Sequence, residues 1–152
     1  MFSIYLGLKF LHILSAIVAV GFNTSYVVWI LRAQRDPAHT GFALKGIKFI
    51  DDRIANPAYG VLLVTGLLMV FTGSIPIATL WIVLALILFV ALVVLAITVY
   101  TPTLRDQVKL VEAGDTTSAE FARLARRGQV VGQAMGGIVL LILVMMVFKP
   151  HL

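Results

Sequence analysis

The stretch FLHILSAIVAVGFNTSYVVWIL, Phe10 to Leu31, is 22 residues long and carries no Asp, Glu, Lys or Arg. At about 1.5 Å per residue a helix of that length reaches roughly 33 Å, enough to cross a hydrocarbon core of about 30 Å. Yet His12, Ser15, Ala19, Asn23 and Tyr26 recur at steps of three and four, so a helix here has one small or polar face among Ile, Leu, Val and Phe. A polar side chain facing lipid has no hydrogen-bond partner, so this stripe must face protein, a cofactor or water. The stretch reads as a membrane helix in a bundle, polar stripe inward.

The rest of the chain agrees. Of 152 residues 61% are hydrophobic and 12% charged, and the mean hydropathy of +1.03 leaves too little polar surface to cover a soluble fold. Three further apolar runs follow, roughly Pro57 to Ile77, Leu80 to Thr101 and Gln129 to Phe148, each near the 20 residues a spanning helix needs. The fold class is therefore all-α, an integral membrane four-helix bundle, and without an internal repeat or linker residues 1–152 form one domain. The first run is expected to be retained, because it lacks a basic lead, is too long for a signal peptide and has no Ala-x-Ala site.

The net charge of +5 has a topological explanation rather than a nucleic-acid one. The first loop, Arg32 to Ile54, holds Arg32, Arg35, Lys45, Lys48 and Arg53; the third, Pro102 to Gly128, holds Arg105, Lys109, Arg123, Arg126 and Arg127. The opposite side has only Lys9 and Lys149. This asymmetry places the two loops in the cytoplasm and both termini on the non-cytoplasmic side. In the first loop, Phe42, Leu44, Ile47, Phe49 and Ile50 alternate with Lys45 and Lys48, which predicts a short helix lying on anionic lipid headgroups. Asp51, Asp52, Arg53 and Asn56 read as the cap of the second crossing. In the third loop a helix from Leu104 to Ala113 stops at Gly114, and Thr117 with Glu120 fits a capping box for the next.

Chemistry has few carriers. There is no cysteine, hence no disulfide or thiolate site, and no paired carboxylates, nucleophile with base, or phosphate loop. On the second crossing Leu62, Gly66, Met69 and Gly73 share a face, a groove that admits a flat ligand or a neighbouring backbone. His12 and Met69, both toward the outer side, form a chemically reasonable axial pair for haem iron, with Met145 as a less favoured thioether; the plainer reading of His12 is a histidine hydrogen-bonded to Ser15, a backbone carbonyl or interfacial water. Lys9, one turn before His12, either snorkels to headgroups or pairs with a propionate. Gly128, Gly132 and Gly136, spaced by four, predict a close helix contact, within the chain or with a second copy. Asn23 and Tyr26 read as interhelical hydrogen-bonding groups, Trp29, Tyr59, Trp81 and Tyr100 as interfacial anchors, and His39 and His151 as solvent-exposed.

Lys9-Phe-Leu-His12, Asp52-Arg53-Ile-Ala-Asn-Pro57 leading to Gly66, Trp81, and the ending Met145-Met146-Val-Phe-Lys149-Pro150 resemble a family of small bacterial integral membrane proteins with no assigned activity. That resemblance spans most of the chain and implies the bacterial cytoplasmic membrane. More distantly, the layout is similar to the haem-dependent membrane protoporphyrinogen oxidases, whose first-helix histidine His12 matches. This chain departs from them at Ala85, where they carry a lysine, and in having no histidine in its third crossing, so the resemblance does not carry the oxidase activity over. Two functions stay open: a haem b-binding or quinone-proximal protein with His12 as ligand, or a non-catalytic subunit of a homo-oligomer or larger membrane complex associating through its glycine-rich fourth helix. A small transporter is weaker, since all seven acids fall in the two charged loops or at their edges.

Overall fold

The computed structural model describes residues 3–150, so His151 lies outside the described residues. Four long helical rods account for nearly all of them. The first is α1 (Ile4–Arg35). A short 3-10 turn at Pro37–His39 leads into α2 (Thr40–Ile50), which passes through a single π-helical turn, Asp51–Ala55, into α3 (Asn56–Thr72). The third rod is α4 (Leu80–Leu95), a second π-turn at Ala96–Tyr100, and α5 (Thr101–Glu112); the fourth is α6 (Ala119–Phe148). Each rod is long and apolar enough to cross a membrane.

The rods pack as two antiparallel pairs, α1 on α3 and α4 on α6, joined mainly where α2 meets α5. This division follows the solvent. At the cationic end Tyr26, Leu44, Ile47 and Leu104 form a buried cluster, with Trp29, Ile50, Tyr100, Val108 and Phe121 packed around it. Where water reaches that end, removing apolar surface is favourable, and Ile47, at 1% exposure, contributes about 1.5–3 kcal/mol. Beyond it Val64, Leu68, Phe71, Val90, Val94, Leu140 and Leu141 point outward. In lipid that costs nothing, because acyl chains are as apolar as leucine.

Two expectations are corrected here. The first loop is not a helix lying flat on headgroups: α2 stands in line with α3, with Ala43, Leu44 and Ile47 buried. Those side chains cover the extended end of α1 and the face of α5, a larger apolar surface than a headgroup layer offers. The Asp51 to Asn56 segment does not cap a helix start, because the helix runs through it. In the third loop α5 ends as expected before Gly114, whose φ of +79° suits a residue without a side chain. The cap of α6 is Ser118, one residue later than the capping box predicted, accepting from the Phe121 N–H at 3.1 Å. Glu120 turns instead to Arg123.

Candidate functional site

His12 sits in the third turn of α1 against α3. Its Nδ1 lies 3.0 Å from the Leu62 carbonyl oxygen and 3.1 Å from Thr65 Oγ1. The Thr65 hydroxyl donates its own proton back along α3, to Val61 O at 2.7 Å, so toward His12 it accepts. Both partners of Nδ1 are therefore acceptors, and the ring proton is on Nδ1. Nε2 keeps its lone pair. No group among the described residues bonds it, and it is not sealed from the surface of the helix pair, since no buried side-chain nitrogen or oxygen lacks a partner among them.

The ring fits because of Gly66. A β-carbon there would stand 3.0 Å from His12 Cε1 and 3.4 Å from Nδ1, so the imidazole rests on bare backbone. At Gly73, one heptad later, a β-carbon would lie 2.8 Å from the Met69 carbonyl oxygen and 2.9 Å from Tyr5 Cε2. The groove expected to admit a flat ligand is thus lined by two rings of α1, Tyr5 and His12, spaced by seven against glycines spaced by seven. Met69 lies between the two glycines, half-buried, one turn from Gly66 or about 4.5 Å along the axis. Lys9 is exposed, as either of its two readings requires. Met145 belongs to α6, which packs on α4 and α5, so it stands on the other helix pair.

The polar stripe of α1 continues inward. Ser15 and Ala19 are buried. Asn23 Nδ2 donates to Tyr59 Oη at 2.7 Å, and Tyr26 Oη donates to Asp51 Oδ1 at 3.3 Å. Of the expected anchors, Trp81 stands at the start of α4 with the Lys149 ammonium 5.5 Å over its ring. Tyr59 instead meets Phe89 edge-on at 6.3 Å, a contact that helps join the two pairs. His39 is exposed, bonded to Asp36.

The glycines of α6 divide. A β-carbon on Gly128 would touch Gln107 and Thr103 at 3.5 and 3.7 Å, and one on Gly132 would touch Tyr100 at 3.8 Å. These two serve a contact inside the chain. Gly136 and its neighbour Gly137 face nothing within 4 Å.

A family described as predicted integral membrane protein (DUF2269) matches residues 6–150. The chain belongs to this family. No curated protein and no solved structure matches it. Membership agrees with the nearer of the two resemblances, and the comparisons add nothing to the distant one with protoporphyrinogen oxidases. In this DUF2269 member, sequence reasoning reached His12, Gly66 and Gly73 but missed Tyr5, Thr65 and the Leu62 carbonyl. The shared spacing of seven between Tyr5 and His12 and between Gly66 and Gly73 was the available signal. Reading it requires knowing that the two helices run antiparallel and in contact.

Proposed function

We propose that this integral membrane protein binds haem b, which His12, through Nε2, and Met69 would hold. What supports the reading is the pair of acceptors at Nδ1. They fix the proton there and orient the ring, the outer-sphere arrangement that metal-bound histidines use, and they leave a lone pair accessible at hydrocarbon depth with no partner among the described residues. Lys9, exposed one turn away, is the propionate partner in this reading, and Gly66 and Gly73 keep the helices close enough to hold the ring in place. A bound haem would supply one-electron chemistry. The protein resides in the bacterial cytoplasmic membrane, with the cationic end inside and both termini outside, as the charge asymmetry supports.

Protein expressed with haem supply and purified in detergent should show a Soret band that His12→Ala abolishes and Met69→Leu shifts. A colourless preparation that takes up no added haem overturns the reading.

Gly136 favours a second one, a non-catalytic subunit of a homo-oligomer or larger membrane complex. Gly128 and Gly132 are used within the chain, whereas Gly136 leaves bare backbone on the outer face of α6. Cross-linking in membranes should then give a product that Gly136→Leu removes, and an unchanged product excludes this face.

A further inference from the structure

The junction of the four rods contains a carboxylate that the haem reading does not use. Asp51 opens the π-turn between α2 and α3 and is only 6% exposed. Its Oδ1 accepts from Tyr26 Oη at 3.3 Å and its Oδ2 from Asn56 Nδ2 at 3.2 Å. A hydroxyl bonded to an ionised carboxylate normally closes to about 2.5–2.7 Å, so the Tyr26 contact is long for a charged acceptor. No cation pairs with Asp51 among the described residues; Lys48, on the preceding turn, is engaged by Asp52. Tyr26 faces Asp51 from α1, Asn56 and Tyr59 from its own rod, and Tyr100 from the rod of α4 and α5, with Asp52 and Lys48 as the charges acting on it.

The backbone marks the same place independently. Asp51 begins one π-turn and Tyr100 ends the other, so both central rods carry a widened turn at this junction. Such turns are rare and recur at functional positions. An ionised carboxylate buried with two long hydrogen bonds and no paired cation is costly, whereas a neutral carboxyl carries no charge and can donate its own proton to Tyr26 Oη.

We propose that Asp51 is a proton-binding site, a carboxyl that stays protonated at neutral pH and exchanges its proton with water at the cationic end of the bundle. The exchange is a plain acid–base equilibrium: a hydronium proton bonds to one carboxylate oxygen on uptake and returns to water on release. Asp51 lies outside the four bilayer-length runs, and burial pushes its carboxyl above the usual carboxylate range, with the Asn56 hydrogen bond opposing. The site does not depend on haem, because His12 lies toward the other end of α1.

The test is infrared spectroscopy of the full chain in liposomes, titrated from acid to alkaline pH. The carbonyl stretch of a protonated, buried carboxyl should persist at neutral pH, vanish in Asp51→Asn, and survive in Asp52→Asn. Because the amide mimics a neutral carboxyl, Asp51→Asn should fold as the parent does; if it fails to fold, the titration of the parent and of Asp52→Asn still decides. A parent with no such band at neutral pH, or a band unchanged in Asp51→Asn, overturns the proposal. So does a band that appears only when sodium is replaced by N-methylglucamine, which would make the ligand a metal cation. A band indifferent to that exchange supports the proton.

Discussion

The imidazole of His12 rests on the α-carbon of Gly66, so close that a single methyl group there would come within 3.0 Å of Cε1. A retreat of the ring would lengthen its bonds to the two acceptors on α3. A glycine on one helix and a hydrogen-bonding histidine on another thus act as one unit: the first permits the approach, and the second secures it.

Gly66→Ala should therefore displace the ring, weakening the α1 to α3 contact by about 1 kcal/mol, the scale of a polar interhelical bond, and removing any Soret band along with it. Thr65→Val, which deletes one of the two acceptors, should cost about 0.5–1.5 kcal/mol, and Thr65→Ser should restore the loss. Gly60→Ala is the control, since a β-carbon there meets nothing within 4 Å; it should hold or raise stability. Denaturant titration in mixed micelles, with optical spectra alongside, measures all four.

Ile47→Ala tests where the hydrophobic effect acts. With Ile47 only 1% exposed, truncation should cost about 2–5 kcal/mol. Leu140→Ala, on a side chain facing lipid at 63% exposure, should change stability far less. Equal losses in the same unfolding assay would refute the assignment of the hydrophobic effect to the buried cluster of Tyr26, Leu44, Ile47 and Leu104.

Gly132→Leu should separate α6 from the third rod, because Tyr100 already lies 3.8 Å from the place its β-carbon would take. The expected result is a lower thermal transition in detergent, with Gly128→Leu behaving alike. Gly136→Leu should leave the monomer's transition unchanged, so a drop equal to that of Gly132→Leu would contradict the division of the glycine stripe.

Asp115 gives the pH dependence. The Ser118 hydroxyl, followed by the backbone N–H groups of Ser118 and Thr117, holds its carboxyl below the ordinary value of 3.8. A group depressed in the folded state contributes stability that is present above its unfolded pKa and lost as pH falls through the folded one. The turn ahead of α6 should thus be insensitive to pH at neutrality and open only in acid. Amide exchange at Ser118, bonded to Asp115 Oδ1 at 2.9 Å, should accelerate there, and Asp115→Ala should show the fast rate at every pH.

Much of the candidate site was legible before any coordinates. His12, Asn23 and Tyr26 fell on one face by spacing alone, and each bonds a group on the second rod. Asp51 was not legible as a buried group. Next to Asp52 and Arg53 it looks like any acidic helix start, and only the passage of α2 into α3 puts it among Tyr26, Tyr59 and Tyr100. Leu62 could not have been read as a polar partner, because the atom it contributes is a backbone carbonyl.

What this sequence determined by itself was the number of crossings, the charge asymmetry of the loops, and the inward face of the first helix. Those follow from side-chain hydropathy and from a helical period that belongs to each segment separately. Only the tertiary structure decided which segments pair, that two glycines of the second crossing seat Tyr5 and His12, and that the first loop extends the bundle. Each of these depends on two segments at once, and periodicity reports which face of a helix is special without naming the neighbour that meets it.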